Sequence, residues 1–201
     1  MPLPSWMYKF DTEGAILDLV LKPLTESYEI VRKDDHAVDY EENTITERLV
    51  WYLKTQTSIS ALYQRRSIDI VLRPKEQVAI DEKYEPDIKF NLGHRLFLHI
   101  EAKRMYAKQK WSTSDYLSND DGIGRILSGK YSRHDKHAGM LGYIQNGDFR
   151  RIIENVRQGI LETSCKKVQD VTDIDNCTLS VHTRIGNDDI TIYHLFFYFA
   201  G

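Results

Sequence analysis

The stretch LFLHIEAKRM, residues 96–105, begins like a strand headed for a protein interior and ends with a carboxylate and an ammonium two residues apart. In an extended chain, alternate side chains share a face. Leu96, Leu98, Ile100 and Ala102 therefore line one side, which suits a core. Phe97, His99, Glu101 and Lys103 line the other, which turns polar and titratable toward its end. The preceding segment, DIKFNL (87–92), divides the same way, with Ile88 and Phe90 on the apolar side and Asp87 and Lys89 on the polar side. Asn91, Gly93 and His94 supply turn residues between the two segments. The pair predicts a β-hairpin in which Asp87 and Glu101 converge on one surface.

Two converging carboxylates repel unless positive charge lies between them. A hard divalent cation such as Mg²⁺ answers that need. It takes oxygen ligands, often only one or two carboxylates, and keeps positions for water and phosphate. Such an ion polarises a phosphoryl oxygen, and an ammonium beside it offsets charge growing on the phosphate. Lys103 is placed for that part, two residues beyond Glu101 on the same face.

The flanking sequence resembles the motif of the PD-(D/E)XK, or restriction-endonuclease-like, nuclease superfamily. Pro86 and Asp87 are similar to its "PD" element, and Glu101, Ala102 and Lys103 to its "(D/E)XK" element, with 13 residues between the two acids. The resemblance covers roughly residues 40 to 165. It implies a core of a helix, a strand hairpin carrying the motif, a further helix and another strand. By the same resemblance Asp87, Glu101 and the backbone carbonyl of Ala102 hold Mg²⁺, with Mn²⁺ as a substitute, Lys103 serves the attacking water, and the reaction is hydrolysis of a DNA phosphodiester. Many members of the family add a glutamate from the first helix, and Glu41, Glu42 and Glu47 compete for that place. Glu42 falls in phase with Ile45 and Leu49, on the side facing the sheet. Glu47 lies almost opposite, and TITE (44–47) fits a capping box with Thr44 as N-cap. Asp69, in SIDIVL, is a rival for Asp87, which is preferred for its preceding proline and its nearness to the E-x-K strand.

The rest of the chain predicts an α/β protein with a mixed central sheet flanked by helices. Helical spacing runs through 44–56 and again from Phe149 to Ile160, with Asp148 as N-cap after the turn NGD (146–148). Strands are expected at 67–73 and 138–145, and in a C-terminal hairpin at 178–199 that extends the sheet. Residues 104–136 read as polar and irregular, with a short helix near GIGRILSG. Without repeats or linkers, the 201 residues read as one domain.

Charge is segregated although the formal net charge is only −3. Residues 28–48 carry seven acids against three Lys/Arg, and residues 103–137 carry eight Lys/Arg against four Asp. Arg104, Arg125, Lys130 and Arg133 are the candidate contacts to a phosphate backbone, and Trp111, Tyr116 and Tyr131 interleave with the basic segment as potential stacking groups. GRILSGKY (124–131) nearly spells a phosphate-binding loop, but Tyr131 stands where the Mg²⁺-binding hydroxyl belongs. His134 and His137 lack further ligands for zinc. Two cysteines and the lack of a leader pattern in MPLPSWMYKFDTEG point to a cytoplasmic protein. With little room for a DNA-reading domain, a homodimer or a partner subunit such as an ATPase is expected to supply recognition, with no membrane association. The alternative is a non-catalytic subunit that keeps the fold and binds nucleic acid or a partner protein.

Overall fold

A computed structural model describes residues 12–74, 76–77, 83–93, 96–106, 112–130, 135–184, 186 and 188–199. The helices are α1 (Thr12–Ile16), α2 (Lys22–Val31), α3 (Glu42–Thr55), α4 (Ser60–Gln64), α5 (Ser112–Leu117), α6 (Ile123–Leu127) and α7 (Phe149–Leu161). The strands are β1 (Asp69–Leu72), β2 (Glu76–Gln77), β3 (Lys83–Tyr84), β4 (Ile88–Leu92), β5 (Leu96–Tyr106), β6 (His137–Asn146), β7 (Cys165–Asp170), β8 (Cys177–Thr183) and β9 (Asp189–Tyr198). Seven strands form one mixed sheet in the order β1-β4-β5-β6-β9-β8-β7, and β2 and β3 form a separate ribbon. The α/β class read from the sequence is the observed one.

Strands β1, β4 and β5 run antiparallel in sequence order, then α5 and α6 carry the chain over to β6, which lies parallel to β5. Strand β9 pairs parallel with β6 and antiparallel with β8, so the C-terminal hairpin widens the sheet. Both faces of the centre are covered, as parallel strands require. On one face Leu98, Ile100, Ala102, Leu195 and Phe197 pack with Ile45, Leu49 and Leu53 of α3 and with Leu24 of α2. On the other, Met105, Met140, Ile192 and Phe196 pack with Tyr116, Ile123, Val156 and Ile160. This two-sided burial accounts for the largely apolar run IYHLFFYF (192–199) in and just after β9, broken by His194.

Several boundaries differ from the sequence reading. Helix α3 starts at Glu42 after Glu41, and no side chain caps it, so Thr44 lies inside the helix. Glu47 pairs instead with Arg73 at 3.0 Å. Strand β5 runs on to Tyr106, and α5 adds a helix within the segment read as irregular. The hydrophobic core also takes in the helices before α3. A π-helical turn, Leu17–Leu21, joins α1 to α2, and Ile16, Val20, Leu24 and Val31 are fully buried. Pro23 has no amide hydrogen and its ring crowds the preceding turn, which suits a local widening there. Gly142, pairing with Lys103 on the neighbouring strand, lacks a Cβ because Met105 Cε and Phe196 already occupy its place.

A buried polar chain crosses the second face. Tyr116 Oη, His194, Ser180 Oγ, His182 and Thr163 Oγ1 follow one another at 2.9, 2.7, 2.7 and 3.2 Å. The Thr163 hydroxyl donates to the Ile160 carbonyl at 2.6 Å, which fixes the direction of the rest. His182 Nδ1–H donates to Thr163, Ser180 to His182 Nε2, His194 Nε2–H to Ser180, and Tyr116 to His194 Nδ1. Every member is satisfied with both imidazoles neutral. Burial holds His182 down to about 4, and burial with the nearby His182 holds His194 down to about 3. Both folded-state values lie below the ordinary 6.5, so this contribution to stability is complete above 6.5 and lost as pH falls toward 4. The histidine ring resonances of these two residues are expected to stay flat down to pH 5 in an NMR titration. A midpoint near 6.5 for either one contradicts the chain as drawn.

Candidate active site

The site forms where β4 stops and β5 continues. The last β4–β5 pair sets Ile88 opposite Ile100. Continuing that register puts Pro86 opposite Ala102, and a proline has no amide hydrogen to give a ladder. The Ala102 carbonyl therefore loses the donor a longer β4 would bring. The freed amides of β5 take carboxylates instead. Asp87 Oδ2 accepts from the Ala102 amide at 2.7 Å, and Glu42 Oε2 accepts from the Arg104 amide at 2.7 Å. Glu42 reaches across because it occupies the first turn of α3, whose buried face packs on β5. The structure thus brings Glu42, Asp87, Glu101 and Lys103 together. Asp69 lies at the far end of the hairpin, paired with Asn91.

Alternation along β5 puts Glu101 and Lys103 on the α5–α6 face, where they are 2% and 8% exposed. Lys103 Nζ lies 2.8 Å from Glu101 Oε1 and 3.9 Å from both Glu42 Oε1 and Asp121 Oδ1. Glu101 Oε1 also receives Arg125 Nη1 at 3.1 Å, and Arg125 Nη2 pairs with Asp121 at 2.6 Å. Glu101 Oε2 is buried and has no hydrogen-bond partner among the described residues.

Four carboxylates (Glu42, Asp87, Glu101 and Asp121) here face two cations, Lys103 and Arg125. The nearby Arg73 and Arg104 each have an acid of their own, Glu47 and Glu41. The imbalance registers in the proton affinities. Burial first, then the charge of Asp87, pushes Glu101 up to about 7. Burial likewise raises Asp87 and Glu42. For Lys103 burial works downward, but the attraction of Glu101 and Glu42 outweighs it, and the net direction is up. Lys103 is therefore an ammonium at neutral pH, suited to donating hydrogen bonds and offsetting negative charge rather than to removing a proton.

Among the described residues no group of three or more His, Cys, Asp or Glu side chains is arranged to share a metal ion. The donors that fit a hard cation are fewer: Asp87, the orphaned Oε2 of Glu101, and the Ala102 carbonyl on the Asp87 edge of β5. An oxygen-only set with two carboxylates suits Mg²⁺, and a shortfall of two positive charges suits a divalent ion.

The basic candidates are tied into the site and its rim. Arg104 pairs with Glu41 at 2.9 Å and lies over the Tyr106 ring. Arg125 sits on α6 with its guanidinium engaged as above, and the Lys130 amide bonds the Arg125 carbonyl at 3.1 Å. The near phosphate-loop sequence thus follows helices rather than a strand. Arg133, with Trp111, Tyr131 and His134, lies outside the described residues. Tyr116 is fully buried in the polar chain, away from any base. His99 bonds Asp135 at 3.0 Å on the same face as Glu101. Asp121 escaped the sequence reading, although DDGIGR places it four residues before Arg125, a spacing that favours a helical ion pair.

No protein-family model matches the chain, and comparison with curated proteins and with solved structures returns no significant match. Among the described residues no helix is long and apolar enough to cross a membrane.

Proposed function

We propose that the chain is a divalent-cation-dependent DNA nuclease of restriction-endonuclease-like architecture. The observation that carries this reading is the meeting of Asp87, Glu101 and Lys103 beyond the end of β4, with a buried Glu101 oxygen left unpartnered. The element order supports it as well. Helix α3, the β1-β4-β5 meander, α5 and α6, and then parallel β6 follow the order that the motif's resemblance implies.

A bound Mg²⁺ or Mn²⁺ supplies Lewis-acid polarisation of a phosphoryl oxygen and acidifies water. Asp87, Glu101 and the Ala102 carbonyl would hold it. Glu42 fixes the backbone at Arg104 and stands 3.9 Å from Lys103, so it aims the ammonium. Lys103 donates hydrogen bonds to the attacking water or to the phosphoryl oxygen as charge builds there. With Arg104 paired to Glu41 and little room in the chain for a DNA-reading domain, DNA recognition falls to a second copy of the chain or to a partner subunit such as an ATPase.

Plasmid and linear DNA incubated with Mg²⁺ or Mn²⁺, alone and with candidate partners, test the proposal. Cleavage is expected, and Asp87→Ala is expected to remove it. DNA binding without cutting under all of these conditions favours the non-catalytic reading. One observation favours that second reading from the outset, namely that Glu101 already has two cationic side chains on one oxygen.

A further inference from the structure

Arg125 reaches Glu101 through its Nη1. Its Nε donates to the Asp120 carbonyl at 3.0 Å and its Nη2 pairs with Asp121 at 2.6 Å, so two of its nitrogens are held by the turn just before α6. Its Nη1 crosses to the sheet, at 3.1 Å from Glu101 Oε1. The turn that presents this fork is closed to side chains. A Cβ on Gly122 would strike the Tyr116 carbonyl, and one on Gly124 would strike the Asn119 backbone. Tyr116 is itself anchored to His194. The guanidinium is thus held at a fixed height over Glu101 while remaining 30% exposed.

Resting on the nuclease reading above, we propose that Arg125 occupies Glu101 in place of a divalent cation and is released by that cation to the substrate phosphate. Two positive charges are missing from the acid cluster, and Nη1 is the weaker-held of the two donors on Glu101 Oε1. A cation reaching the unpartnered Oε2 draws charge from the same carboxylate and weakens the Arg125 contact. The anchors on Asp120 and Asp121 keep the freed arm beside the site. A planar guanidinium fork matches a phosphate oxygen as well as it matches a carboxylate. Arg125 is then a phosphate-positioning residue that also competes with the cation.

Competition predicts effects of opposite sign. Mn²⁺ affinity is measured by calorimetry on the full chain without DNA, for wild type, Glu101→Gln, Arg125→Gln and Arg125→Lys. Arg125→Gln is expected to tighten Mn²⁺ binding about fivefold, the value of one partly exposed ion pair. It is also expected to slow single-turnover cleavage by tenfold or more. Arg125→Lys keeps a cation and is expected to stay within about twofold of wild type for Mn²⁺. Weaker or unchanged Mn²⁺ binding in Arg125→Gln, with wild-type binding that depends on Glu101, overturns this proposal alone and makes Arg125 a prop for Glu101. Mn²⁺ binding that is absent, or indifferent to Glu101→Gln, overturns the cation-dependent reading with it.

Discussion

Glu101→Gln is expected to make the fold more stable at pH 8 while abolishing cleavage. Glu101 is 98% removed from solvent and shares its surroundings with Asp87, and its proton affinity rises from an ordinary 4.5 to about 7. Ionising a group shifted that far costs the folded state about 3 kcal/mol relative to the unfolded chain. The sign follows from a raised folded-state value. The stabilisation is complete below 4.5, where the group is protonated in both states, and is lost as pH rises through 7. An amide avoids the charging cost and still offers Lys103 and Arg125 an oxygen. Thermal or denaturant unfolding of the variant and wild type checks this. The variant is expected to lead by about 2–3 kcal/mol at pH 8, with the gap closing as pH drops toward 4.5. A variant that is less stable at pH 8 refutes the account of Glu101 as a charge held at a loss. Under the proposed function, Glu101 gives up stability for chemistry, a common trade in enzymes.

Lys103→Met has the larger effect and the opposite sign. Removing one partner of a buried pair leaves the other uncompensated, at about 3–5 kcal/mol. Arg125 still touches Glu101 Oε1, which softens the loss to about 2–4 kcal/mol at pH 8. The loss shrinks at pH 5, because Glu101 then takes up a proton more readily still. Under the proposed function, cleavage is expected to fall by roughly a hundred- to a thousandfold, as for other removed donors at developing negative charge. Combining Lys103→Met with Glu101→Gln separates the two roles. The double variant is expected to recover most of the lost stability and none of the activity. Strict additivity of the two stability changes in the double-mutant cycle excludes a direct Lys103–Glu101 interaction.

The features legible in the sequence are those written in short-range pattern. The β4–β5 hairpin follows from period-2 alternation across Asp87–Lys103 and the turn residues between. Helix α7 follows from its apolar spacing and from Asp148, whose side chain accepts from the Arg151 amide. Helical phase chose Glu42 among the three glutamates once the resemblance called for one on the first helix, and α3 starts early enough to carry it. Other features needed the third dimension. The face holding Glu101 and Lys103 looks solvated by its polarity, yet α5 and α6 cover it. The Asp121–Arg125 pair joins Glu101 across more than twenty residues of chain, and Tyr116 meets His194 across 78. Strand β7 carries polar residues on both faces at the sheet edge, so neither alternation nor hydrophobicity announces it. The helical stretch from Thr12 to Val31 hides behind Pro23, which locally argues against a helix that α1, the π turn and α2 nonetheless continue.

The overhang of β5 has an evolutionary and engineering consequence. Asp87 and Glu42 fill hydrogen-bonding seats that a longer neighbouring strand would otherwise take. Replacing Pro86 with a residue able to zip onto Ala102 invites the hairpin to grow by one rung, crowding Asp87 off the Ala102 amide. A single proline thus keeps the notch open, and sealing it would turn the proposed centre into ordinary sheet without touching any charged group.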